Sequence, residues 1–162
     1  MLDPGPRLLS WCLSGQEGGP GVVLHGSRSG LLVDSTVPAV PVLYKLFGAD
    51  RDHLFAVGQA GTLLRRVGTT WMLDPALVND RLLTVFGTSA SNVYAVGGLG
   101  SGRLLAWDGQ RWTVDDSVAD LDPLAGLYVT AEELLVAGQR GLLARRSGSS
   151  GAFEFPPPVT SL

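Results

Sequence analysis

FGTSASNVYAVGGLGSGRLLAWDGQRWTVD, residues 86–115, decides the fold because it recurs along the chain. It lies over FGADRDHLFAVGQAGTLLRRVGTTWMLD (47–74) and, more loosely, over YVTAEELLVAGQRGLLARRSGSSGAFEF (128–155). A damaged copy, WCLSGQEGGPGVVLHGSRSGLLVD (11–34), precedes them. The glycine that ends an apolar run falls at Gly15, Gly58, Gly97 and Gly138, at spacings of 43, 39 and 41 residues. Self-similarity at one period is the signature of a repeat architecture, in which each copy is one supersecondary unit.

Each copy breaks into short apolar runs separated by Gly, Asp, Ser and Thr, the pattern of strands and tight turns. The second copy gives strands at 42–47, 53–58, 62–66 and 71–74, and the third gives RLLTVF, NVYAVG, RLLAW and WTVDD. The first copy supplies only the last three, roughly 10–14, 22–26 and 31–34. No segment sustains a helical apolar period over three turns, so the chain reads as all-β. Val67-Gly68-Thr69-Thr70 and Asp108-Gly109-Gln110-Arg111 separate paired runs as hairpin turns. Four-residue loops there place Trp107 opposite Trp112 and Arg66 opposite Trp71, pairs worth roughly 0.2–1 kcal/mol each.

Four strands in each repeat of about 40 residues is the period of a propeller blade. The expected architecture is therefore a β-propeller with four-stranded antiparallel blades at approximately 7–35, 42–75, 81–116 and 123–155. The strings F-G-x-S-x-x-N-V-Y-A-V-G and W-D-G-x-x-W resemble those of a family of bacterial propeller repeats. They are more distantly similar to the Asp-box repeats of sialidase-like and photosystem-assembly-factor-like propellers. The Asp-box pattern is met only by Asp108, Gly109 and Trp112, with Val67 and Ser147 where the aspartate would stand in other copies. The resemblance implies a blade and names no substrate.

After Phe155, a Pro156-Pro157-Pro158 linker leads into Val159 to Leu162, so 156–162 is read as a strand that would complete the first blade and close the ring. Three closures compete: a four-bladed ring from one chain, an eight-bladed ring from two, or blades supplied by another protein. Stacked repeats bury one another's faces, and an open array would leave apolar faces in water. Self-association or a partner subunit therefore comes first and a closed monomer second.

The 162 residues are 45% apolar and 17% charged, with 22 glycines, a composition that excludes disorder and allows one well-buried domain. A net charge of −3 argues against nucleic acid as a partner. Apolar runs of four or five residues are far too short to span a bilayer, and the N-terminal stretch lacks the pattern of a secretory signal. That reading puts the protein in the cytoplasm if Met1 is the native start, and outside the cell if the chain is part of a larger secreted protein. The single cysteine, Cys12, excludes an internal disulfide and reads as packing.

Chemistry is sparse. His25 and His53 lie in different copies without ligand spacing, no serine sits in a nucleophile elbow, and no phosphate loop precedes a helix. No catalytic, metal or cofactor residue is assigned, and the chain is read as non-enzymatic. The acidic loops (Asp50 and Asp52; Asp115, Asp116, Asp120 and Asp122; Glu132 and Glu133) offer no selected pair, so a fragment of a propeller glycoside hydrolase ranks low. Arg65-Arg66 and Arg145-Arg146 occupy equivalent third-strand positions. They are candidates for an interaction surface, or for neutralisation by Asp74, Asp115 and Glu154. Trp71, Trp107 and Trp112 are candidate pocket residues for a glycan and equally candidates for packing, with Leu31 and Phe153 breaking their regularity. The expected function is a propeller scaffold for protein–protein contact, with a lectin-like, carbohydrate-binding propeller as the alternative.

Overall fold

The computed structural model describes residues 10–14, 19–27, 30–148 and 151–155. Among the described residues, fourteen strands form four antiparallel meanders in chain order. The first sheet holds β1 (Ser10–Ser14), β2 (Gly21–Ser27) and β3 (Gly30–Val33). The second holds β4 (Leu43–Gly48), β5 (His53–Gly58), β6 (Leu63–Val67) and β7 (Thr70–Asp74). The third holds β8 (Leu82–Ser89), β9 (Asn92–Gly97), β10 (Arg103–Trp107) and β11 (Trp112–Val114). The fourth holds β12 (Leu124–Val129), β13 (Glu133–Gly138) and β14 (Leu143–Ser147). Three single-turn 3-10 segments, and no α-helix, occur among the described residues.

The chain divides into two compact units, Met1–Leu82 and Leu83–Leu162. In the first, β1 lies against β4, and Val23, Val40, Leu43, Leu54, Ala56, Leu64 and Trp71 interlock between the two sheets. In the second, β9 lies against β12, and Tyr94, Val96 and Leu104 meet Leu124, Leu134, Val136 and Ala144. The same stacking thus appears in both units: the second strand of one copy covers the first strand of the next. Alternation explains which residues enter this layer, since Leu54 and Ala56, or Tyr94 and Val96, stand two apart on one face of a strand. β5 and β9 are buried along nearly their whole length, as apolar runs without polar alternation require.

The repeated glycines have a steric cause. At Gly58 a Cβ would come within 2.1 Å of the Val42 carbonyl oxygen, and at Gly138 within 2.6 Å of that of Pro123. Those carbonyls accept the next residues' N–H groups, from Gln59 at 2.8 Å and Gln139 at 3.1 Å. A further tie recurs at constant offset: Gly21 donates to the Val40 carbonyl, Gly61 to that of Asp80, and Gly102 to that of Leu121, each nineteen residues on. Each tie anchors the connection that leaves a sheet to the turn between that sheet's own second and third strands, or their counterparts in the first copy.

The register matches the hairpin expectation, with Trp107 opposite Trp112 and Arg66 opposite Trp71. The two ends of the strand reading differ from it. β11 stops at Val114, before the expected 116, because Asp115 leaves the sheet to cap the 3-10 turn Asp116–Val118 through the Ser117 N–H. The fourth sheet is three-stranded, and the expected fourth strand survives only as one bridge between Arg145 and Glu154. Gly148 and Gly151 sit at φ +75 and +120, outside strand geometry, and interrupt the pairing between β14 and Glu154. The first sheet has the three strands expected. The ring-closing strand at 156–162 lies outside the described residues, as does Gly15.

Two glycines separate backbone strain from collision. Gly61 (φ +69) has the Val78 carbonyl oxygen 1.9 Å from a built Cβ, whereas Gly68 (φ +62) has nothing within 4 Å. In denaturant titrations Gly68→Ala should cost about 1 kcal/mol, the left-handed backbone penalty alone. Gly61→Ala should cost clearly more, on the order of 3 kcal/mol, because backbone atoms must also move.

Candidate functional site

Asp34 follows β3 and Asp115 follows β11, at equivalent places in their copies: Asp34 N–H donates to the Val23 carbonyl and Asp115 N–H to that of Leu104. Each carboxylate caps the turn after it through one oxygen. Asp34 Oδ1 accepts the Thr36 N–H at 3.0 Å and the Thr36 hydroxyl at 2.6 Å, and Asp115 Oδ1 accepts the same two groups of Ser117. The other oxygen reaches the next sheet. Asp34 Oδ2 accepts the Trp71 indole N–H at 2.9 Å, while Asp115 Oδ2 accepts from Arg146 Nη1 at 2.6 Å.

The donors differ because of one ring. Trp71 has Phe153 as its counterpart, opposite Arg146 as Trp71 is opposite Arg66, and phenylalanine has no N–H. In the second unit the arginine makes the bond and lies over Phe153, 4.9 Å from the ring centroid. Arg146 is only 2% exposed, so its charge depends on Asp115. In the first unit Trp71 makes the bond and Arg66 is left over. Its Nη1 donates to the Arg51 carbonyl at 3.4 Å, its Nε is buried with no hydrogen-bond partner, and among the described residues it forms no ion pair.

The remaining candidates are tied within their own sheets. Arg65 forms a two-pronged ion pair with Asp74, with Nη2 to Oδ1 at 2.7 Å. Arg145 meets Glu154 at 3.3 Å on the surface, where such pairs contribute little. Trp107 donates its indole N–H to the Ala90 carbonyl at 3.0 Å and packs on Trp112, ring centroids 5.6 Å apart. Trp71, Trp107 and Trp112 are 5%, 6% and 8% exposed. Within the first unit the structure brings Arg66 together with Trp71, and within the second it brings Trp107 together with Trp112.

Arg66 and Trp71 line a cavity of about 230 Å³ in the first unit, together with His25, Asp34, Thr36 and Thr69 over an apolar floor of Val23 and Leu54. Asp34 and Thr36 were invisible as site residues in the sequence, although the recurring Asp-x-Thr and Asp-x-Ser strings after a last strand carried the capping signal. His53 belongs elsewhere: its Nδ1 lies 2.8 Å from Asp50 Oδ2 in a hairpin turn. Among the described residues no group of three His, Cys, Asp or Glu side chains is placed to hold a metal, and no helix is long and apolar enough to cross a membrane. No family model matches the chain, and no curated protein matches it.

Burial opposes ionisation of Asp115, but the Ser117 and Arg146 hydrogen bonds and the arginine charge outweigh it, so the carboxyl lies below its ordinary value of 3.8. Burial likewise opposes ionisation of Asp34, and the bonds from Thr36 and Trp71 with the nearby His25 bring it down. A depressed folded value means stability that is complete above the unfolded value of 3.8 and is lost as pH falls through the folded one. Asp115→Asn should therefore cost about 3 kcal/mol at neutral pH, by stranding Arg146, and should flatten the acid limb of a stability–pH curve. Trp71→Phe should recreate the Phe153 arrangement: Arg66 turns to Asp34, and NMR of the arginine side chains shows Arg66 Nε–H ordered against the carboxylate. An Arg66 unchanged in that variant would contradict the exchange.

Proposed function

We propose that the four sheets are blades of a β-propeller and that the chain is a non-enzymatic binding module, a scaffold that acts by protein–protein contact, through self-association first. Supporting the propeller are the recurring stack of one sheet on the next within each unit, the nineteen-residue tie and the carboxylate that bridges successive sheets. The observation that carries the contact reading is β3. Among the described residues it has a paired neighbour on one side only, β2, and its Leu31, Leu32 and Val33 are 56%, 53% and 62% exposed. An open strand edge with three successive apolar side chains in water is a template for pairing with another chain. A second copy offers the same strand, so two β3 edges would join antiparallel about a two-fold axis and bury each other's side chains.

The glycan alternative needs indole faces at the surface, and the burial of Trp71, Trp107 and Trp112 favours the contact reading over it. Native mass spectrometry of the untagged protein should give a discrete multimer of the 17.0 kDa chain, most simply a dimer. Leu32→Lys, which puts a charge on the open edge, should return it to monomer without loss of strand content. A homogeneous monomer for the parent chain across the accessible concentration range would contradict the reading.

A further inference from the structure

We propose that the cavity of the first unit is a ligand site for a compact carboxylate that also carries a hydrogen-bond donor. The charge it needs is already present: Arg66 has a buried Nε–H without a hydrogen-bond partner and forms no ion pair among the described residues, whereas its counterpart Arg146, whose Nε and Nη2 are likewise unpartnered, is held to Asp115 through Nη1. A guanidinium offers a planar fork that a ligand carboxylate meets with two parallel bonds. The donor requirement comes from Asp34. A carboxylate accepts about four hydrogen bonds, and Asp34 receives three, two from Thr36 on Oδ1 and one from Trp71 on Oδ2. A hydroxyl or ammonium on the ligand would take the remaining lone pair of Oδ2, and would offset the repulsion between Asp34 and a simple anion. The Thr69 hydroxyl adds a neutral partner in the same cavity.

Size sets the class. The cavity of about 230 Å³ corresponds to roughly eight waters at about 30 Å³ each, and is below the range of roughly 300–1,000 Å³ of sites that hold drug-sized molecules. It suits a small hydroxy or amino carboxylate resting on Val23 and Leu54, not a sugar chain or a peptide. This site does not depend on the self-association reading, since every residue named lies within the first unit.

The test is an NMR titration of the full-length ¹⁵N-labelled protein with glycolate, and with acetate at matched ionic strength. Glycolate should move the Arg66 Nε–H and Trp71 indole N–H resonances saturably, with acetate about tenfold weaker or more. Arg66→Gln should lose the glycolate response about tenfold or more, while Arg145→Gln, which removes an exposed arginine outside the cavity, should bind as the parent does. The wild-type Arg66 resonance reads the site directly even if Arg66→Gln fails to fold. The proposal is overturned if glycolate leaves that resonance in place up to about 10 mM, if folded Arg66→Gln binds equally well, or if acetate binds as tightly as glycolate.

Discussion

A carboxylate at the end of a sheet's last strand has two oxygens and, in this protein, two tasks. One oxygen satisfies the N–H and hydroxyl of the turn that starts the connection to the next sheet; the other accepts a hydrogen bond from a side chain that the next sheet contributes. Backbone direction and inter-sheet packing are thereby set by one residue. Remove that acceptor and the turn loses its cap while a buried indole or guanidinium loses its partner, each a cost comparable to that of an unmade buried hydrogen bond, about 1–3 kcal/mol. The nineteen-residue backbone tie and the glycines that let carbonyls approach act at a different place, inside a single sheet and the connection that leaves it.

The two units apply this geometry with different donors. A tryptophan supplies the N–H in the first and an arginine in the second, and the choice follows from a single aromatic position, Trp71 against Phe153. A neutral donor leaves the neighbouring arginine idle beside a cavity, whereas a charged donor fills its place and neutralises it. The same fold thus yields a closed ion pair in one unit and an unfilled polar cavity in the other.

Much of the fold was legible in the sequence because it rests on local signals. Apolar runs, turn dipeptides and a repeating glycine placed the strands of the second and third copies to within a residue or two at most ends, and the loop length fixed Trp107 against Trp112. The end of β11 was misread because Asp115 looks like a strand continuation until its side chain is seen capping Ser117. The fourth strand of the last copy was overread because Phe153 to Phe155 has strand composition but only Glu154 finds a partner. The site was the least legible part. Arg66 and Trp71 were singled out, but their meeting with His25, Asp34 and Thr36 depends on sheet packing between residues some forty positions apart, which no spacing rule reports. That Arg146 is buried and Arg145 exposed follows only from which face of β14 meets the preceding sheet.

The central claim is that an inter-sheet carboxylate bond holds each stacked pair together, and a double-mutant cycle on Asp115 and Arg146 tests it most directly. Asp115→Asn, Arg146→Gln and the double variant would be compared by denaturant unfolding at neutral pH. A coupling energy of about 2 kcal/mol or more is expected, since each single change strands the partner's polar group between the sheets. Additive losses, with coupling near zero, would mean that apolar packing alone joins the sheets and that the carboxylate does no more than cap its turn.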